Sequence, residues 1–389
     1  MKVLVNYLDC TTVDGNKTGK RIAQVTLNKP KALNALDLDM VNLMLDALAQ
    51  IRRDDSVQAV LLDSEGEKAF CAGGDIVSMY HAMKEHRPKA KGDLEAPTPG
   101  FLQDFFTQEY RLDYCLHTFP KPVIVWGNGI IMGGGLGLFT ASQIKLVTES
   151  ARIAMPEISI GLFPDVGGSY FLNRLPKGLG LFLGLTAASI NAQDTLSIGL
   201  ADALVLHERK SDFLRTLCQL PSVNKLSVVE LANAYSPADD AVSDGKLAAI
   251  MQPLSKLDEA TSLHDASQVL SQIVAEHPEN TYLAKALSSF ERGSAITAHL
   301  VFEQLHRAKQ MSLADCFRME LSMAYTCGAL GEFEEGVRAL LIDKDNQSAW
   351  QYVSIDDVPE ATINAHFTRF DDVPSESHPL ARLEQDFGL

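Results

Sequence analysis

The sequence predicts an α/β core followed by a mainly helical region. In the first half of the chain, short apolar segments typical of strands alternate with segments of helical spacing. From about residue 206 onward the strand pattern fades and helical spacing dominates. Because strands separated by helices need crossover connections, we expect mostly parallel pairing. We therefore predict a core over residues 1–205 and a helical C-terminal region over residues 206–389.

The first elements can be justified in chain order. Arg21–Leu27 alternates apolar and polar residues in the manner of a strand. Asp37–Arg53 carries apolar residues at helical spacing, with Asp37 or Asp39 as its N-cap. Three later apolar segments, each leading into a turn or loop, are also predicted to be strands: Val57–Asp63, Lys121–Gly127 and Gln143–Thr148.

The remaining segments favour loops and helices. The polar stretch between Ile76 and Pro120 predicts a mobile loop that ends near Gly100 and then a helix over about Phe101–His117. Seven segments of the C-terminal region favour helix: Ser211–Leu220, Ser227–Ala234, Asp239–Met251, Asp265–Ile273, Leu283–Leu287, Ser294–Gln310 and Ser312–Cys327.

Composition excludes several classes of partner. The chain has 34 Lys and Arg against 50 Asp and Glu, a formal charge of −16 that repels nucleic acids and anionic membranes. No apolar run reaches the roughly 18–20 residues that span a bilayer, and the N-terminus lacks the pattern of a secretory signal. The six cysteines form no CxxC pair and have no histidine at metal-ligand spacing. We expect a cytoplasmic protein with reduced thiols and no metal, nucleic-acid or membrane partner.

Two glycine clusters are the first candidate chemical motifs. They are Ala69–Asp75 (AFCAGGD) and Gly127–Gly137 (GNGIIMGGGLG), each shortly after a predicted strand. Glycines at such junctions let a ligand approach bare backbone, and two N–H groups aimed at one point form an oxyanion hole. Tight packing of turns between layers explains either cluster equally well. Neither cluster has the context of a dinucleotide or phosphate-binding loop.

Two carboxylates form the third motif. Glu157 and Asp165 lie eight residues apart in the apolar, Gly- and Pro-rich segment Ala154–Gly168. Burying acids in such surroundings raises their pKa values, which is one way to make a general acid or base. Helix capping is the alternative for both residues. Residue patterns alone leave this choice open.

Taken together, the three motifs resemble the crotonase, or enoyl-CoA hydratase/isomerase, superfamily. The resemblance runs from about Arg21 to Pro176, and a second stretch covers Met311–Leu313 and Glu332–Asp345. It implies a spiral core of stacked ββα units, an acyl-CoA substrate and a possible homo-oligomer. Coenzyme A then enters as part of the substrate, so no separate cofactor is expected.

The resemblance also implies where CoA and the thioester bind. The oxyanion donors match the backbone N–H groups of Gly74 and Gly134. The adenine side of CoA matches the backbone around Ala72, Gly73 and Asp75. Lys31 is placed to meet a phosphate, although an ordinary solvent-facing lysine is the alternative.

The acids separate the members of this superfamily. Hydratases carry a second glutamate where this chain has Gly137, which argues against water addition. Glu157, Asp165 and Glu109 instead match the subgroup that hydrolyses short 3-hydroxyacyl-CoA thioesters, 3-hydroxyisobutyryl-CoA in particular, in valine breakdown. In that interpretation Glu157 acts as nucleophile or general base, and Asp165 transfers a proton or holds the 3-hydroxyl. Glu109 binds or orients the substrate, unless it is a solvated helical acid.

Two other functions remain open from sequence. An enoyl-CoA isomerase or hydratase-like activity is compatible with Glu157 as the acid–base group. A non-catalytic acyl-CoA binder would need only the CoA contacts. Release of thiol from the substrate distinguishes hydrolysis from both.

Overall fold

The computed structural model describes residues 1–86, 93–94, 96–237 and 243–388. The predicted loop before Gly100 and the start of the predicted helix Asp239–Met251 fall partly outside these ranges. Of its described residues, 243–250 are not helical and only Met251, at its end, belongs to a helix. Its backbone is held by side chains instead, because Asn191 donates to the carbonyls of Ser243 and Asp244 and Asp194 accepts from the amide of Leu247.

Ten strands form two sheets within the described ranges. In chain order they are β1 Val3–Thr11, β2 Lys17–Leu27, β3 Val57–Ser64, β4 Ala69–Cys71, β5 Val123–Gly127, β6 Ile130–Met132, β7 Ile144–Val147, β8 Arg152–Ala154, β9 Ile190–Asn191 and β10 Ala203–Leu204. The larger sheet has the order β1-β2-β3-β5-β7-β10, and the smaller has the order β4-β6-β8-β9. Only the β1–β2 and β8–β9 pairs are antiparallel, so the prediction of mostly parallel pairing is confirmed.

Helices connect the strands and form most of the second half. They are α1 Leu38–Arg53, α2 Ile76–Glu85, α3 Gly100–His117, α4 Gly134–Ala141, α5 Gly168–Phe171, α6 Leu179–Thr186, α7 Ala192–Ser197, α8 Lys210–Leu217, α9 Lys225–Asn233, α10 Met251–Leu254, α11 Leu263–Glu276, α12 Thr281–Arg292, α13 Ala295–Ala308, α14 Leu313–Leu330, α15 Glu332–Val337, α16 Glu360–Phe367 and α17 Leu383–Phe387. Short 3-10 turns lie at Pro30–Ala32 and Glu157–Ile160, and a π-helical turn lies at Arg338–Ile342.

Helix α3 has a central place in the packing. It contacts α1 and α4 in the core region and α14 in the C-terminal region. Its buried face is apolar and aromatic, but it also carries the acids Glu109 and Asp113. The site acids on α3 therefore lie between the two predicted regions of the chain.

One apolar cluster joins both predicted regions. It runs from Val3 in β1 to Leu383 in α17 and includes residues of nearly every helix between them. A smaller cluster lies on the other face of the large sheet, under α8 and α9. The division at residue 205 stays a prediction, and the two regions share a continuous core.

No helix in the described part of the chain is long and apolar enough to cross a membrane.

Candidate active site

Three parallel strands of the small sheet bring the sequence motifs together. Strands β4, β6 and β8 are neighbours and run in the same direction. Their carboxyl ends therefore lie at one edge of the sheet. The chain leaves β4 into the turn at Gly73, leaves β6 into the turn at Gly133 and leaves β8 towards Glu157. The three motifs, far apart in sequence, meet at this edge because of strand pairing.

The two glycine turns touch each other. A Cβ atom placed on Gly73 would lie 3.9 Å from the amide nitrogen of Gly134, and one on Gly133 would lie 3.5 Å from Cα of Gly73. Gly73 has φ +113° and Gly133 has φ +50°, conformations that side chains with a Cβ rarely adopt. The backbone geometry therefore favours glycine at both positions.

The amides of Gly74 and Gly134 are available to a ligand. Gly134 is the first residue of α4, so its N–H has no intrahelical acceptor. Beside Gly74, a parallel bridge to Leu36 uses the carbonyl of Gly73 and the amide of Asp75, which leaves the Gly74 amide outside the bridge. One candidate backbone donor thus lies in each of the two touching glycine turns, and their role as an oxyanion hole stays a prediction.

Two carboxyl groups lie against the same turn. Oε1 of Glu157 is 3.1 Å from the Cβ position of Gly133, and a Cβ on Gly134 would overlap Oε1 of Glu109. Oε2 of Glu157 and Oε1 of Glu109 make no hydrogen bond to any part of the chain that the structure describes. Each of the two acids thus lies beside the glycine turn at Gly133 and Gly134 and keeps one buried oxygen without a partner in the described ranges.

Asp165 joins this group through Tyr110. The Tyr110 hydroxyl donates to Oδ2 of Asp165 at 2.9 Å, and Tyr110 directly follows Glu109 on α3. The carbonyl of Asp165 accepts from the amide of Gly168 in the turn that opens α5. The charge of Asp165 acts on both Glu109 and Glu157, so the three acids lie near one another, and their roles stay predictions.

Burial and mutual repulsion keep these acids from all being ionised at once. Burial raises the pKa of Glu157 and of Glu109 well above the usual value, and the nearby charge of Asp165 raises both further. Burial raises the pKa of Asp165 to about 7, against the opposing effect of the Tyr110 hydrogen bond. The group can hold and transfer protons near neutral pH, as acid–base chemistry requires.

Sequence reasoning missed two further buried acids, Asp113 and Glu320, both 0% exposed. Asp113 lies one turn after Glu109 on α3, and its two carboxyl oxygens have no hydrogen-bond partner in the described ranges. Its position four residues after Glu109 was a signal that both acids share one helix face. Glu320 lies in the apolar helix α14, and nothing in the local pattern pointed to the site.

Gly137 packs against the far end of this group. A Cβ there would lie 2.5 Å from Cβ of Val166 and 3.2 Å from Oδ2 of Asp113. A side chain at residue 137 would collide with the segment that carries Asp165. The absence of a second glutamate at this position therefore has a packing reason as well as a chemical one.

The predicted CoA contacts are arranged around the first glycine turn. Lys31 is exposed in a 3-10 turn, whereas Lys29 pairs with Asp37 at 3.0 Å and with Asp75 at 3.5 Å. The Asp75 side chain accepts from the amide of Ser78 and so caps α2. The amide of Ala72 donates to the carbonyl of Leu33. Contacts of Lys31, Ala72, Gly73 and Asp75 with CoA stay predictions.

A cysteine nucleophile does not fit the site. Cys71 is buried beside the first glycine turn, and burial raises the pKa of its thiol to about 12, so no reactive thiolate forms near neutral pH. In the described ranges no group of three His, Cys, Asp or Glu side chains is arranged to hold a metal ion.

Comparison with known proteins places the chain in a family. The family model described as enoyl-CoA hydratase/isomerase matches residues 22–367. The chain therefore belongs to the enoyl-CoA hydratase/isomerase family, and the expected crotonase-type α/β core is confirmed. A solved structure, a carnitinyl-CoA dehydratase from Mycobacterium thermoresistibile, has a TM-score of 0.78 at 31% identity, covering 94% of this chain and 96% of that one.

Curated relatives indicate a subgroup within the family. The 3-hydroxyisobutyryl-CoA hydrolase of Danio rerio is 34% identical over 92% of this chain and 89% of its own length. The enzyme of the same name from Xenopus laevis is 35% identical over 88% of this chain and 86% of its own length. Because both names include the word mitochondrial, the expectation of a cytoplasmic location is wrong.

Proposed function

We propose that this chain hydrolyses 3-hydroxyisobutyryl-CoA to the free hydroxy acid and CoA. The observation that carries the proposal is the position of the Glu157 carboxyl against the turn at Gly133, which leads into Gly134 and touches the turn of Gly73 and Gly74. The names of the relatives support the same substrate. Valine breakdown, which the resemblance implies, is proposed as the setting of the reaction.

In this mechanism the thioester oxygen accepts hydrogen bonds from the amides of Gly74 and Gly134. The oxygen gains negative charge as the carbonyl carbon becomes tetrahedral, and each donor contributes roughly 3–4 kcal/mol to that transition state. Because both donors are backbone groups at glycines, they are fixed before the substrate binds. A fixed pair of donors needs no reorganisation during the reaction.

Glu157 can act by either of two routes. As nucleophile, its carboxylate bonds to the carbonyl carbon, the C–S bond breaks, CoA leaves as thiolate, and water cleaves the resulting anhydride. As general base, it takes a proton from a water molecule whose oxygen attacks the carbonyl carbon before the C–S bond breaks. Rapid acid quenching and mass spectrometry separate these routes. Only the first adds the acyl mass to the peptide that contains Glu157.

Asp165 and Glu109 act on the rest of the acyl group. Asp165, held by Tyr110, accepts a hydrogen bond from the 3-hydroxyl of the substrate or transfers a proton during hydrolysis. A substrate without the hydroxyl leaves this buried group unpaired, which disfavours its binding. Glu109, beside Gly134, orients the acyl chain against the amide donors.

Hydrolysis is tested by following thiol release from 3-hydroxyisobutyryl-CoA with a thiol reagent. The proposal predicts one CoA thiol for each acid formed. Migration of a double bond in an enoyl-CoA without thiol release would favour an isomerase. Tight CoA binding without any turnover would favour a non-catalytic binder.

A further inference from the structure

The turn that follows Asp165 has an unfavourable backbone conformation. Val166 has φ +52°, and Gly167 has φ +86°. A β-branched residue such as valine rarely adopts a positive φ, so the surrounding structure must hold it there. Because Val166 directly follows Asp165, whatever holds this turn also sets the direction of the Asp165 side chain.

Glu320 holds the turn from a distant part of the chain. Its Oε2 accepts from the amide of Gly167 and its Oε1 accepts from the amide of Ser169, both at 2.8 Å. The two N–H groups flank the start of α5, and one carboxyl group satisfies both. Glu320 belongs to α14, which packs on α3 and α5. A residue of the C-terminal region thus fixes the backbone on one side of Asp165.

The same helix holds the other side of Asp165. Phe317, one turn before Glu320 on α14, packs against the ring of Tyr110 with centroids 5.8 Å apart. Tyr110 donates the hydrogen bond to Asp165. In addition, Gln304 of α13 donates to the carbonyl of Pro164 at 3.0 Å. The backbone before Asp165, the turn after it and its hydroxyl donor are all supported from the C-terminal region.

We propose that Glu320 is a positioning residue that acts through Asp165 and so sets the preference for substrates with a 3-hydroxyl. Glu320 accepts hydrogen bonds from two main-chain N–H groups. In this role it does not contact the reacting atoms of the substrate. This role rests on the proposed function, in which Asp165 recognises the hydroxyl. It also gives the C-terminal helical region a direct part in substrate choice.

A purely structural role would give a different experimental result. Loss of general support would lower turnover of all acyl-CoA substrates alike. A positioning role affects only those substrates whose hydroxyl meets Asp165. Comparing 3-hydroxyisobutyryl-CoA with isobutyryl-CoA, which lacks the hydroxyl, therefore separates the two.

The test uses the full chain with Glu320→Gln, Asp165→Asn and the double variant. The glutamine side chain keeps one oxygen to accept hydrogen bonds where glutamate has two, so Glu320→Gln should lower kcat/KM for 3-hydroxyisobutyryl-CoA about tenfold, the size of roughly one hydrogen bond. Its kcat/KM for isobutyryl-CoA should stay within about twofold of the wild-type value. The double variant should be no worse than Asp165→Asn alone, because both substitutions remove the same interaction.

Asp194→Asn provides a matched control. Asp194 is also a buried carboxylate that accepts hydrogen bonds from two main-chain N–H groups, those of Asn191 and Leu247. It lies in α7 and does not bind the turn that follows Asp165. This substitution should leave the ratio of the two substrates unchanged. If Glu320→Gln fails to fold, Ser169→Pro removes one of the two amide donors in the first turn of α5 and should show the same selective loss.

Equal losses on both substrates, or multiplicative losses in the double variant, would overturn the proposal. Failure of the proposed function is distinguishable from either result. In that case the wild-type chain itself would release no thiol from 3-hydroxyisobutyryl-CoA.

Discussion

At the scale of single residues, Gly134 combines two requirements in one position. It supplies a backbone donor at the start of α4, and its missing side chain leaves space for the carboxyl of Glu109. No other residue type satisfies both, because any Cβ overlaps Oε1 of Glu109. The position is therefore sensitive to the smallest possible substitution.

Gly134→Ala should lower kcat by roughly 10²- to 10³-fold, the range seen when an oxyanion donor is removed, since the added methyl displaces Glu109 and blocks the amide. Gly100→Ala is the control, because Gly100 is also the first residue of a helix and has no atom within 4 Å of its Cβ position. Steady-state kinetics of both variants check this. Wild-type turnover by Gly134→Ala would contradict the assigned donor.

Asp165 is expected to influence the ionisation of Glu157. Its negative charge raises the pKa of Glu157, so Asp165→Asn should lower that pKa. The reaction needs ionised Glu157, and the acid limb of the kcat/KM profile should therefore move to lower pH in the variant. The profile is measured on the residual hydrolysis of isobutyryl-CoA. A limb that stays in place or moves to higher pH would show that the two carboxyls are not coupled in this way.

At the scale of elements, strand ends and helix faces create the site. Each motif follows a strand of the small sheet, and parallel pairing of β4, β6 and β8 brings the three turns together. Helix α3 then adds a face that carries two acids one turn apart, Glu109 and Asp113, and packs that face on the glycines of α4. Because α4 has glycines at these positions, there is space beside it for the acidic side chains of α3.

Asp113→Asn should raise stability at high pH. Burial raises the pKa of Asp113 well above its usual value, so the folded state binds a proton that the unfolded state has released. The stability that protonated Asp113 contributes is fully present below its pKa in the unfolded chain. It is lost as the pH rises through its pKa in the folded protein. The free energy of unfolding of the variant, relative to wild type, should therefore increase as the pH rises from the unfolded pKa towards the raised folded pKa, as urea titrations can measure. A difference independent of pH would mean that Asp113 is not protonated in the folded protein.

Local patterns predicted the elements and the motifs but not every contact. Clear apolar patterns predicted β3, β5 and β7, and helix Phe101–His117 matched α3 almost to the residue. The three-residue strands β4, β6 and β8, which lead directly into the glycine turns and Glu157, are too short for such a pattern and were not predicted. The helix Asp239–Met251 was wrong in its described part because side chains of Asn191 and Asp194 take up its backbone groups. Glu320 was missed because its partners lie about 150 residues away in sequence.

At the scale of the whole molecule, the α/β core and the helical region complete one site together. The core supplies the glycine amides and three acids, and α13 and α14 fix the segment around Asp165. The apolar cluster from Val3 to Leu383 passes through both regions. We therefore expect the two regions to unfold together.

The two tryptophans, one in each region, test this expectation. Trp126 is wholly buried in the large sheet, and Trp350 donates to the carbonyl of Arg292 in the C-terminal region. Trp126→Phe leaves Trp350 as the fluorescent probe, and Trp350→Phe leaves Trp126. In each variant, urea transitions followed by fluorescence and by far-UV circular dichroism should coincide, as two-state unfolding requires. Loss of the Trp350 signal before the dichroism signal would show that the C-terminal region unfolds alone.

The most direct measurement is thiol release from 3-hydroxyisobutyryl-CoA by Glu157→Gln, together with its affinity for CoA. With the amides of Gly74 and Gly134 left in place, CoA binding should stay within about twofold of wild type. Turnover should fall by roughly 10²- to 10⁴-fold if Glu157 is a general base, and by more if it is the nucleophile. Turnover at the wild-type rate would contradict the placement of Glu157 across from the two amides as the reacting carboxylate.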